Sequence, residues 1–341
     1  MSLSRTGLAL ALAALPLAAL PSAARAQSIT GAGSTFAAPI YGKWSEASHA
    51  ATGVSLNYQA IGSGGGQNQV FNRTVDFGAS DAPVPADKLA ANSLLQFPAA
   101  MGGVDVIVNI PGVEANKLRL DGATLGGIYL AQVARWNDPK IAALNPGLAL
   151  PDLAIAPVHR ADGSGTTFVF TDYLSMVSPE WQDKVGAATS VSWPGGAGAR
   201  GSDGVAGTVK TIKGGIGYVE SAYAEQNHLV TAELKNRDGA FVAPTMESFT
   251  AAAASADWAG AKNFAVDLNN KAGPASWPIV SATFVLLPTN PKDKAQSDAV
   301  TKFFEWSFAN GDQIAHDLLY VPLPAAVKDR VRAAWKSDVK G

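Results

Sequence analysis

The sequence predicts an α/β protein folded into two lobes, and three observations lead there. Short β-like runs alternate with helix-like ones along most of the chain. The length of 341 residues, with 47% hydrophobic and 16% charged side chains, is enough for two sizeable cores. No long Pro/Ser linker and no internal repeat divides the middle, so two lobes joined by more than one crossing fit better than two beads in series.

The first 26 residues stand apart. Arg5 is followed by an Ala/Leu run from Gly7 to Leu20, and Ala24-Arg25-Ala26 forms a small-residue cleavage site before Gln27. This reads as an export signal cleaved after Ala26, with a soluble, periplasmic product. The sequence has no cysteine, so it can form neither a disulfide nor a thiolate metal site. No metal or other cofactor is expected. Without Arg5 and Arg25 the acidic side chains outnumber the basic ones by four, and no basic run occurs. Nucleic acid and anionic membranes are therefore excluded as expected partners.

The elements follow in order. VSLNYQAI is a strand, followed by a helix from about Gln67; VDVIVNI is a strand, followed by helices through LGGIYL and PKIAAL; LAIAPVH leads to a helix after residue 166. Then come the strand GIGYVE, an Ala-rich stretch near 250–261 and the strand IVSATFVLL. Val300, Phe303, Phe304 and Phe308 recur at helical spacing in a last amphipathic run. VDVIVNI and IVSATFVLL are the expected crossings. In such alternating folds ligands sit at loops leaving strand C-termini.

Three such loops share one grammar, in which glycine and hydroxyl residues stand directly before a helical apolar pattern. They are TGAGSTF ahead of Ile40, Tyr41 and Trp44; IGSGGG ahead of Val70 and Phe71; and RADGSGTT ahead of Phe170, Tyr173 and Leu174. A helix start exposes unpaired N–H donors and about half a positive charge, which favours an anion. Glycine admits close approach of the backbone, and Ser and Thr add donors. None is a P-loop, because no Gly-Lys-Ser/Thr follows the glycines. The residues alone leave open whether the loops form one oxyanion pocket or three separate caps. Asp162 can be a helix cap or the partner that fixes Arg160; Asp81 can be a turn cap before Pro83.

TGAGSTF, YQAIGSGGG, VDFGASDAP, GGVDVIVNIPG, LNPGLALP, RADGSGTTFVFTDYL and GGIGYVE, in this order, resemble the phosphate-binding proteins of high-affinity bacterial phosphate ABC importers. The resemblance runs from about Ile29 to Trp335. It implies a two-lobed, type II-like periplasmic binding-protein fold closing on one inorganic phosphate in the inter-lobe cleft. Residues 27–106 with 280–341 would form one lobe and 107–279 the other. It implies a monomer that delivers phosphate to an inner-membrane ABC permease and catalyses nothing. It further implies phosphate contacts from Thr35, from Phe36 through its backbone N–H, and from Ser63, Asp81, Arg160, Asp162, Ser164, Gly165 and Thr166. Gly64 stands where many relatives have a second serine, which removes one auxiliary contact.

Other functions find less in the residues. A secreted phosphatase-like hydrolase would draw on the same Ser and Thr residues, but neither G-x-S-x-G nor H-E-x-x-H occurs and the histidines form no motif. His159 is read as a strand-end packing residue. A site for sulfate, molybdate or an organic phosphate would keep the same loops; Asp81 discriminates, because a carboxylate accepts a proton from hydrogen phosphate and repels ionised sulfate. An adhesion or scaffold protein would need none of these contacts.

Overall fold

The computed structural model describes residues 27–340, so the expected export signal and its cleavage after Ala26 lie outside the described residues. The chain opens with two parallel strand–helix–strand units: β1 (Gln27–Gly33), α1 (Ala38–Thr52), β2 (Val54–Ala60), α2 (Ser63–Phe71) and β3 (Phe77–Ser80). After α3 (Ala86–Ala91) comes the long β4 (Leu94–Val108), then β5 (Arg119–Leu120), α4 (Gly122–Tyr129), α5 (Pro139–Leu144) and β6 (Ala156–Arg160). Next are α6 (Gly165–Val177), α7 (Pro179–Lys184), β7 (Ala197–Ala199), α8 (Gly201–Thr211), β8 (Gly215–Glu220) and α9 (Ser221–Gln226). Three short strands, β9 (Val230–Thr231), β10 (Glu233–Lys235) and β11 (Phe241–Val242), precede α10 (Met246–Ala253). The chain ends with β12 (Val280–Pro288), α11 (Lys294–Asn310), α12 (Asp312–Asp317), β13 (Tyr320–Val321) and α13 (Ala325–Asp338).

The main sheet runs β2-β1-β3-β12-β4-β8-β6-β7. Its pivot is β4. From Leu94 to Gly103 this strand pairs antiparallel with β12, and from Val104 to Val108 it pairs with β8. One strand thus serves two hydrogen-bonding neighbourhoods, with the changeover at Gly103/Val104.

The sequence expectation for this strand began at VDVIVNI and missed its first ten residues, Leu94–Gly103. Pro98, Gly102 and Gly103 are unfavourable residues for a strand interior, yet all of β4 is buried. The register against β12 slips between Thr283 and Phe284, which face Ala100 and Pro98 and leave Ala99 unpaired. A bulge beside the residue that lacks an N–H lets the strand carry its proline. The helix expected from about Gln67 starts earlier, at Ser63, so the glycine run is its first turn. Gly66 explains why: a Cβ there would collide with the Ala32 and Gly33 backbone, and the helix packs against β1 only without it.

On the β1–β3 side, α1 and α11 cover the sheet. Val300, Phe303, Phe304 and Phe308 of α11 are all buried, as their spacing predicts. Phe304 packs edge-on against Tyr41, Phe77 and Phe97 with ring centroids 5.4–5.6 Å apart. On the β8–β6 side Ile107, Val158, Val205, Val209, Val219 and Tyr223 form a separate cluster. The loops after β1, β2 and β6 leave the C-terminal ends of parallel strands, and all three lead into helices.

Candidate functional site

The three loops converge although Ser34 and Ser164 are far apart in the chain. In the first, Ser34 and Thr35 are buried ahead of α1, whose cap position, Ala37, has no capping side chain. The Ser34 hydroxyl serves instead, accepting the Ala37 N–H at 3.1 Å and donating to Asp81 Oδ1 at 2.5 Å. In the second, Ser63 Oγ accepts N–H groups from Asp81 (3.2 Å) and from Gly165 (3.1 Å). The last bond ties the first turn of α2 to the first turn of α6. A second such tie runs from the Gly64 N–H to the Gly163 carbonyl at 2.8 Å.

Arg160 ends β6 and is 4% exposed. Asp162 grips it side-on, taking Nε–H at 2.7 Å on Oδ1 and Nη2–H at 2.5 Å on Oδ2. The remaining nitrogen, Nη1, donates to Thr35 Oγ1 at 3.0 Å and to Ser202 Oγ at 3.4 Å. Asp162 therefore orients the guanidinium rather than capping a helix. Burial pushes its carboxyl up, but the Arg160 hydrogen bonds and charge, with the Gly201 N–H, hold it below its ordinary value. The cap of α6 is Ser164, whose Oγ accepts the Thr167 N–H at 3.0 Å.

Asp81 is 1% exposed and sits beside Arg160. Burial raises its carboxyl to about 6; the hydroxyls of Ser34 and Thr283, the Arg160 charge and the Ser63 hydroxyl pull the other way. Thr283 comes from the β12 bulge, and its Oγ1 completes no regular hydrogen bond. Thr166 Oγ1 is likewise buried without a partner. A buried hydroxyl with nothing to bond costs about 1–3 kcal/mol, so such a group at a helix start calls for a ligand.

Two glycines are required by contact. A Cβ on Gly165 would collide with Ser63 Oγ and the Asp81 carboxylate. Gly62 has φ +84°, and a Cβ there would strike the Asp162 carboxylate.

All nine sequence-predicted residues thus lie in one neighbourhood: Thr35, Phe36, Ser63 and Asp81 from the loops after β1, β2 and β3, and Arg160, Asp162, Ser164, Gly165 and Thr166 from the loop after β6 and the start of α6. Sequence reasoning missed Ser34, Ser202 and Thr283. For Ser202 a signal existed, since RGSDG at the start of α8 repeats the glycine–hydroxyl grammar; its Oγ lies 2.9 Å from Thr35 Oγ1. Thr283 lies mid-strand and carried none. His159 stacks on Trp193 with ring centroids 4.7 Å apart, and its Nδ1 lies 3.1 Å from the Arg160 carbonyl. No grouping of metal-ligating side chains exists among the described residues. Donors on three sides, one buried cation held by an acid, and one buried acid suit an oxyanion that carries a proton.

Comparison with known proteins gives concordant findings. The profile of the PBP superfamily domain matches residues 18–310. The chain is 51% identical over 316 residues to the phosphate-binding protein PstS of Pasteurella multocida, covering 93% of this chain and 92% of that one. It is 50% identical over 312 residues to PstS of Xylella fastidiosa, covering 92% and 86%. Among solved structures it is similar to the high-affinity periplasmic phosphate-binding protein PfluDING bound with phosphate: TM-score 0.71, 22% identity, 90% of this chain and 94% of that one. A phosphate-binding protein from Stenotrophomonas maltophilia aligns with a TM-score of 0.68 at 19% identity, over 90% and 94% of the two chains. These structural likenesses carry the two-lobed fold.

Proposed function

The chain belongs to the PstS family of phosphate-binding proteins, and we propose that it binds one inorganic phosphate between its two lobes and hands it, unchanged, to an inner-membrane ABC permease. One lobe comprises residues 27–106 and 280–341, the other 107–279. The pairing changeover on β4 and the return through β12 support this division. The protein acts in the periplasm as a monomer and without a cofactor.

The observation that carries the reading is the unpartnered Thr166 hydroxyl, buried where Arg160 and Asp81 bring opposite charges together. Arg160 supplies the cation and Asp162 fixes its plane. Thr35, Ser63, Ser164, Thr166 and the Phe36 N–H, with Gly165 letting the start of α6 come close, replace the hydration shell that phosphate gives up. Asp81 accepts the hydrogen that phosphate brings. Among the described residues no hydroxyl of the pocket is paired with a histidine: His159 stacks on Trp193, and Ser34, which donates to Asp81, is held at the start of α1 by the Ala37 N–H. We therefore expect no turnover.

Calorimetric titration of phosphate-depleted protein with inorganic phosphate tests the reading. One site per chain in the micromolar range or tighter, with no hydrolysis of phosphomonoesters, is the expected result. Absence of binding heat at any phosphate concentration would refute it, as would hydrolysis that vanishes on changing Thr166.

A further inference from the structure

We infer that Tyr223 is a positioning residue for the phosphate site: its hydroxyl aims the Phe36 N–H at the ligand, and it does so only while the lobes are closed. The inference rests on the phosphate-binding reading above. Thr35 and Phe36 lie in an irregular turn between β1 and α1, whose cap position, Ala37, offers no capping side chain of its own. Two phenols secure that turn from outside. Tyr223 Oη donates to the Thr35 carbonyl at 2.6 Å, and Tyr320 Oη donates to the Phe36 carbonyl at 2.5 Å. In a planar trans peptide the C=O of one residue and the N–H of the next point in opposite directions. Fixing the Thr35 oxygen therefore fixes the direction of the Phe36 N–H. Phe36 is wholly buried, yet its N–H has no acceptor among the described residues. A buried backbone donor left unpaired is rare and points to a missing partner.

The two phenols differ in what they are attached to. Tyr223, on α9, packs in the cluster of Ile107, Val158, Val205, Val209 and Val219, on the β8–β6 side. Thr35 belongs to the β1–α1 side, so the Tyr223 bond crosses the cleft and breaks when it opens. Tyr320 lies on β13, which pairs with β4 at Gly102 and Met101, on the same side as α1. Its bond survives opening. Tyr320 Oη is also 2.9 Å from Glu220 Oε2, and one hydroxyl hydrogen cannot serve both acceptors. At 2.5 Å against 2.9 Å, the shorter contact gives the Tyr320 hydrogen to the Phe36 carbonyl. Tyr223, raised by burial above the ordinary phenol range, stays a donor.

Tyr223→Phe is the test, with Tyr320→Phe beside it. The Thr35 carbonyl retains the Ala38 N–H at 3.2 Å, so the variant keeps its fold. Using inorganic phosphate as the probe, Tyr223→Phe should speed release roughly tenfold and leave association unchanged, the effect of losing one good hydrogen bond in the closed form. In amide NMR spectra its Phe36 resonance should move only in the phosphate-bound state, while Gly165 and Thr166 hold still. Tyr320→Phe should move Phe36 in the free protein as well. Unchanged release with an unmoved Phe36 amide overturns the inference, as does a shift of all pocket amides together or an equal Phe36 shift in the free Tyr223→Phe protein. If the unaltered protein takes no phosphate, the functional reading itself falls and this inference with it; if it binds and Tyr223→Phe binds identically, only the inference falls.

Discussion

Asp81, unlike the salt-bridged Asp162, is held by no ion pair among the described residues, so its charge opposes an anion, and its surroundings say what it selects. Ser34 and Ser63 occupy its oxygens as donors, and burial raises it to about 6, so at pH 7 it is mostly ionised. An ionised carboxylate can accept the hydrogen of hydrogen phosphate. Facing sulfate, which brings none, it meets like charge in a site shielded from water. Asp81→Asn should therefore admit sulfate and narrow the phosphate/sulfate ratio by orders of magnitude in competition titrations at pH 7. In the unaltered protein, lowering pH from 7.5 to 5 should narrow that ratio too, because protonated Asp81 becomes a donor. A ratio unmoved by both changes would remove Asp81 from the selectivity of the site. Arg160 carries the opposite role. Arg160→Ala removes the buried cation and leaves Asp162 buried without its partner, so phosphate affinity should fall by roughly 2–5 kcal/mol in calorimetry. An unchanged dissociation constant in a folded Arg160→Ala protein would contradict the assignment.

Helix starts do the recognising, and each is prepared differently. Serine caps α6; α1 borrows Ser34 from three residues before its cap; α2 uses Gly66 to lie close against β1 and Gly64 to lie close against the loop after β6. Glycine is a poor helix former, costing about 1 kcal/mol against alanine, so these positions are occupied for approach rather than for helix stability. Gly165 makes this testable. A Cβ there meets Ser63 and Asp81, which the proposed division places on the other lobe, so on that reading the clash exists only when the lobes are shut. Gly165→Ala should leave the thermal stability of phosphate-free protein close to that of the unaltered one. Its phosphate affinity should drop by at least a hundredfold, and small-angle scattering should show no compaction on adding phosphate. Full compaction in that variant would mean the site tolerates the methyl group.

Three buried acids sit near the junction of the two halves of the sheet: Asp81, Asp105 and Glu220. Burial raises all three, against the Ser221 hydroxyl on Asp105 and the Ala222 N–H and Tyr320 hydroxyl on Glu220, which pull the other way. A folded carboxyl above its unfolded value binds protons that the unfolded chain gives up, so stability rises as pH falls through the folded values toward the unfolded ones near 4. Carboxyls held low, such as Asp162, lose their contribution only below that range. Phosphate-free protein should consequently melt at a higher temperature at pH 5 than at pH 7.5. A melting temperature that falls steadily over this interval would show that these acids are ionised in the folded state.

What the sequence determined by itself was local. Glycine and hydroxyl residues before helical patterns marked the donor loops, and Val300, Phe303, Phe304 and Phe308 marked the buried face of α11, because caps and faces are written within a few residues of one another. The resemblance then joined the loops into one site before any geometry was known. Tertiary structure alone decided that β4 starts at Leu94, since a strand carrying Pro98 is possible only where a bulge against β12 relieves the missing N–H. It alone brought Thr283, Tyr223 and Tyr320 to the pocket. Thr283 is 202 residues from Asp81, and Tyr223 is 188 from Thr35. Such neighbours are set by the order in which strands cross the sheet, and no spacing along the chain records that order.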